Sequence, residues 1–69
     1  MCFPMPVTLI SVPDNGYARE HMTVGNTYTA FSIEGSCYLV STDEQTTTMV
    51  WRGRFIPVDF RTQLLHNTL

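Results

Sequence analysis

The sequence predicts an all-β fold: a small five-stranded barrel with a long loop after its first strand and a short C-terminal tail. Three observations predict it. Short runs rich in β-branched and aromatic residues recur along the chain, the composition that suits a pleated, half-buried surface. Between them stand clusters of Pro, Asp, Asn, Gly and Glu that turn the chain. The chain has 69 residues, enough for one core, since a typical domain has about 100 residues and the smallest independent ones about 55 to 65. Residues 1–69 therefore read as a single domain, with 1–6 and 61–69 at its periphery.

The first strand is expected over Val7–Val12, where Val7 and Leu9 alternate with Thr8. Pro13, Asp14, Asn15 and Gly16 then favour turning, by fixed φ, side-chain caps and freedom at positive φ, and the polar stretch to Met22 reads as the long loop. Thr23–Ile33 is the second strand, entered through Gly25-Asn26. Glu34–Ser36 is a short connector, and Cys37–Thr42 returns as the other arm of a hairpin. After the polar Asp43–Gln45 turn, Thr46–Arg52 forms a strand in which threonine is well tolerated and a helix would be penalised. Gly53–Phe55 is a break of one 3₁₀ turn, and Ile56–Phe60 a last strand whose Pro57 demands an edge or a bulge. The tail from Arg61 makes a helical turn or frays.

Composition narrows function. Six acidic residues oppose four arginines, lysine is absent, and the formal charge is −2. A duplex-binding module draws its affinity from a basic excess on one face, so this balance argues against it, although Arg52, Arg54 and Arg61 form a local basic group. The opening MCFPMPVTLISV has no basic leader and is broken by Pro4 and Pro6, so no signal peptide or membrane span is expected. Cys2 and Cys37 are too few for a disulfide framework and read as free thiols of a cytosolic protein. With His21 and His66 they complete the thiol and imidazole inventory, and none has a partner at metal-ligand spacing. Neither phosphate-loop nor nucleophile-elbow patterns occur, so the expectation is no enzyme, no metal and no cofactor.

Three segments carry a resemblance: TVGNTYTAF, CYLVSTDEQ and MVWRGRFIPV. Through Val24, Gly25 and Tyr28, then Tyr38, Val40 and Asp43, then Trp51, Arg54, Phe55 and Val58, residues 23–60 resemble the small stand-alone SH3-like barrels of bacteriophages and prophages. The GRFIPV segment is also similar to the end of eukaryotic-type SH3 domains, with one more residue between Gly53 and Pro57. The Ala-Leu-Tyr-Asp-Tyr start and tandem tryptophans of peptide-binding SH3 domains are missing, so proline-motif recognition is not implied. What the resemblance implies is a phage-encoded binder in the host cytoplasm that inhibits or modulates a host protein.

The candidate contact residues are Tyr17, Arg19, Glu20, Trp51, Arg52 and Arg54. Trp51, near a strand end and beside Arg52, is either an exposed anchor of the kind that dominates interfaces or a plug of the barrel end against Tyr28 or Phe55. Met49 shares its parity and Val50 does not, so one of those two faces is the interior. Tyr17, in the long loop, either packs back as a lid or joins Trp51, Arg19 and Glu20 in an aromatic strip. Two further readings remain: a single-stranded nucleic-acid module that stacks bases on these aromatics, and a homo-oligomeric subunit that pairs the Ile56–Phe60 edge with another copy.

Overall fold

A computed structural model describes residues 3–58. It contains β1 (Met5–Leu9), α1 (Gly16–His21), β2 (Thr27–Glu34), β3 (Cys37–Ser41), β4 (Thr47–Trp51), a 3₁₀ turn (Arg52–Arg54) and β5 (Phe55–Pro57). The strands make one antiparallel sheet in the order β4-β3-β2-β1-β5. The described residues are mostly β, as expected, with five strands and little helix.

Strand boundaries differ from expectation for identifiable reasons. β1 starts earlier and stops at Leu9, because the inward parity of Met5, Val7 and Leu9 would next place polar Ser11 in the core. Ile10 leaves the strand, although its N–H still donates to Arg54 O. Residues 23–26 form a turn instead of the start of β2: Gly25 has φ of +98°, and Asn26 N–H donates to Thr23 O. The expected 3₁₀ break exists but begins one residue sooner, at Arg52, and β5 begins at Phe55. Asp59, Phe60 and the tail, together with Cys2, lie outside the described residues.

The expected long loop contains a helix. Asn15 Oδ1 accepts hydrogen bonds from the N–H groups of Tyr17 and Ala18, capping α1. Ala18 and Met22 turn inward beside Pro13, all three buried. At six residues, opening on glycine, the segment is too short for periodicity to announce it. Contact with the sheet, and not propensity, holds it in helical form.

The sheet is curled but not closed. β4 and β5 are opposite edges of the sheet, which would stand about 19 Å apart across four flat spacings of about 4.8 Å. Only the Arg52–Arg54 turn separates them in sequence, and four steps at about 2 Å rise span about 8 Å. The edges must therefore converge at that end. A bulge in β2 adds a local bend: Ala30 pairs with Val40 and Ser32 with Leu39, so Phe31 is the additional residue.

Among the described residues no β4–β5 ladder completes the ring; α1 covers the flank of β4 instead. Asn15 Nδ2 donates to Thr48 Oγ1 at 2.9 Å and to Met49 O at 3.2 Å. Inside the curl sit Val7, Leu9, Tyr28, Ala30, Tyr38, Val40, Val50 and Phe55, joined by Ala18 and Met22. Tyr38 meets Phe55 edge to face at 5.8 Å and Phe3 at 6.3 Å.

Candidate functional site

Val50 is buried and Trp51 points outward, so the Val50 face of β4 is the interior. Trp51 pairs with Cys37 across the β3–β4 ladder and remains 53% exposed. It does not plug the end of the curled sheet: Phe55 packs on Tyr38, and Tyr28 turns to Asp43. Instead, the 3₁₀ turn folds Gly53 against the indole, where a Cβ would lie only 2.7 Å from Cζ2. A glycine is needed there for close approach, not for φ, which lies outside the left-handed region.

Arg54 completes this cluster. Its Cζ lies 5.7 Å from the Trp51 ring centroid, within cation–π range. One terminal nitrogen donates to Asp14 Oδ2 at 2.9 Å and the other to Ser11 Oγ at 3.3 Å. The guanidinium thus ties the loop after β1 to the turn before β5 and braces the indole between them. Arg52 is exposed beside Trp51, its backbone N–H donating to Ser36 O.

Tyr17, Arg19 and Glu20 occupy α1. Tyr17 OH is 2.6 Å from Thr46 Oγ1, and its ring lies 4.5 Å from that of His21. His21 Nδ1 is 3.6 Å from Glu44 Oε1, across the β3–β4 turn. Arg19 Nε donates to Pro13 O, while Glu20 is exposed. Tyr17 therefore rests on the β3–β4 turn with part of its ring in solvent.

Thr46, just before β4, and Trp51, at its end, are five residues apart, about 16 Å along a strand. The geometry thus divides the six candidate residues into two groups, Trp51–Arg52–Arg54 at one end of β4 and Tyr17–Arg19–Glu20 at the other. The first group presents a large apolar face on a braced support. The second has its hydroxyl and one of its guanidinium nitrogens engaged within the fold.

Sequence reasoning missed a polar latch. Tyr28 OH donates to Asp43 Oδ1 at 2.9 Å and accepts from Thr23 N–H at 2.7 Å. Thr23 Oγ1 donates to the other oxygen of Asp43 at 3.3 Å. Asp43 is a turn residue by composition, and the fifteen positions separating it from Tyr28 carry no spacing signal. The latch ties the start of β2 to the β3–β4 turn and is a structural feature.

Among the described residues there is no enclosed pocket and no group of three or more His, Cys, Asp or Glu side chains placed to share an ion. No helix among them is long and apolar enough to cross a membrane. No protein-family model, curated protein or solved structure matches the chain.

Proposed function

We propose that this chain is a non-enzymatic protein-binding module on an SH3-like scaffold, a phage-encoded binder that inhibits or modulates a host protein in the host cytoplasm. The observation that carries the binding part is the half-exposed indole of Trp51, seated on Gly53 and braced by Arg54. An anchor already held in one place loses little side-chain freedom on association, so more of its buried area is converted into affinity. Tryptophan and arginine are also the residues most enriched where truncation costs an interface most. Mechanism is then competitive: the module covers a surface its target needs.

Support for the scaffold comes from three features together: the strand order β4-β3-β2-β1-β5, the bulge that bends β2, and the single 3₁₀ turn before the last strand. The phage and host assignments rest on the resemblance carried by residues 23–60. Single-stranded nucleic-acid binding is less favoured, because Arg54 is paired with Asp14 and Arg19 with Pro13 O. Stacking modules need cations free to follow a phosphate backbone.

The test is a pull-down of tagged protein from bacterial lysate, nuclease-treated and untreated, beside a folded Trp51→Ala variant. The expected result is one protein retained with and without nuclease and lost by the variant, its affinity falling about thirtyfold or more, as for a hot-spot truncation. Retention by Trp51→Ala at parental strength overturns the assignment of the surface. Loss of every partner after nuclease treatment overturns the protein-binding reading itself.

A further inference from the structure

Asn15 and Gly16 make the chain's one Asn-Gly step; Asn26 and Asn67 each precede a β-branched threonine. The side-chain amide of an asparagine is open to attack by the backbone nitrogen of the next residue, and a glycine there puts no Cβ beside the attacking atom. Asn15 and Gly16 are both exposed, and no atom of a more distant residue lies within 4 Å of where a Gly16 Cβ would stand. As the first residue of α1, Gly16 has an N–H with no acceptor among the described residues.

We propose that this step is a deamidation site gated by α1, and that its reaction unhooks α1 from β4. Gly16 N gives its proton to hydroxide and adds to Asn15 Cγ. The new N–Cγ bond closes a succinimide as the Cγ–Nδ2 bond breaks, and Nδ2 takes a proton from water and leaves as ammonia. Water then opens the ring at either carbonyl, giving aspartate or isoaspartate. Water and hydroxide are the only co-reactants, and nothing is oxidised or reduced. The fold holds this reaction back. Closing the ring brings Asn15 Cβ into line with Gly16 N across the Cα–C bond, which needs a strongly negative ψ, and Asn15 stands at a ψ of 122°. Rotating it swings Asn15 O away from Arg19 N–H, bonded at 2.8 Å. The side chain must also release Tyr17 N–H at 2.9 Å and Thr48 Oγ1 at 2.9 Å. Three such bonds, at about fivefold each, slow the folded protein about a hundredfold relative to the unfolded chain.

The product cannot restore the original contact. Aspartate at position 15 still caps Tyr17 N–H but has no donor for Met49 O, which lies 3.2 Å from Nδ2, and two oxygens at that separation repel. Isoaspartate moves a side-chain carbon into the backbone and displaces the cap as well. Either product frees a carbonyl of β4, an edge of the sheet, where unpaired main-chain groups are open to pairing with another chain. Hydrolysis does not run backwards in water, so each opening of α1 that leads to reaction is recorded permanently. The step is a one-way switch built into the loop after β1, and it operates whether or not Trp51 has a target.

Incubation of the full chain at neutral pH, folded and in urea, followed by tryptic digestion and mass spectrometry, tests this. The fragment 1–19, released at the first arginine, holds Asn15 as its one side-chain amide, so its gain of the mass difference between NH₂ and OH reports this step alone. The folded protein should convert about a hundredfold more slowly than the unfolded chain, at a rate insensitive to urea below the unfolding transition, the mark of local opening. Thr48→Val, which keeps the shape and strand preference of Thr48, should speed conversion of the folded protein about fivefold and leave the unfolded rate unchanged. Gly16→Ala should slow both. Equal rates in the folded and unfolded chains overturn the gate, as does a folded rate that follows urea with the slope of global unfolding. Conversion undiminished by Gly16→Ala overturns the route. Asn15→Asp, which keeps a good cap, should speed hydrogen exchange about fivefold at Arg19 and Asp43 N–H, which bond Asn15 O and His21 O; exchange at the parental rate overturns the unhooking of α1.

Discussion

Gly53→Ala isolates the seat of Trp51. The glycine's φ lies outside the left-handed region, so alanine is acceptable to the backbone and the conflict is with the ring alone. At 53% exposure, about half of an indole of roughly 250 Å² is out of water, about 120 Å² or about 3 kcal/mol at about 25 cal/mol/Å². Displacing the face that lies on Gly53 removes on the order of a third of that, about 1 kcal/mol. Loss of the Arg54 contact adds about 0.5–1 kcal/mol at an exposed site. Restricting the unfolded chain returns about 0.4–1 kcal/mol, leaving a net destabilisation of about 1 kcal/mol.

In a Trp51→Ala background the conflict is gone and only the last effect remains. Gly53→Ala should then stabilise the protein by about 0.4–1 kcal/mol. Urea unfolding of the four proteins in this cycle, followed by far-ultraviolet circular dichroism, reads the change of sign. Trp51 is the chain's one tryptophan, so its fluorescence should also shift to the red in the Gly53→Ala protein as the ring enters water. The same sign and size of effect in both backgrounds would refute the packing of the indole on Gly53.

Asn15→Ala should cost about 2 kcal/mol in urea unfolding, because it removes both the cap of α1 and the clip to Thr48 and Met49; Asn15→Ser, which keeps only a cap, should recover about half. Tyr28→Phe leaves the Thr23 N–H and a carboxylate oxygen of Asp43 without their partner and should lower stability by about 1–3 kcal/mol, with hydrogen exchange at Thr23 accelerated. Gln45 has φ of 62° and Gly35 φ of 61°, so opposite substitutions should have opposite signs. Gln45→Gly should stabilise by up to about 1 kcal/mol, and Gly35→Ala destabilise by about 1 kcal/mol, as shifts in thermal midpoint.

Local chemistry was enough to determine that five strands form and in what order along the chain, the hairpin, and a break before β5, but not the strand ends. Val7 and Leu9 alternate with Thr8, a threonine run disfavours helix, and a glycine-containing connector separates two β-rich stretches; each signal acts within a few residues, the range over which propensity operates. The same chemistry assigned aromatic and arginine contact candidates but left Trp51 undecided between plug and anchor. Parity separated Met49 from Val50 without saying which faced inward, since both are apolar. Only packing decided that, when the curl enclosed Val50 and the 3₁₀ turn laid Gly53 beneath the indole.

Tertiary structure also turned the loop after β1 into a capped helix and separated Tyr17 from Trp51 along β4. It brought Asp43 to Tyr28 and Arg54 to Asp14. These pairings join residues fifteen and forty positions apart, distances at which a chain's local preferences carry no information. Whether such groups meet depends on how far the sheet bends and which gap remains to be filled, and both are set by the whole core at once.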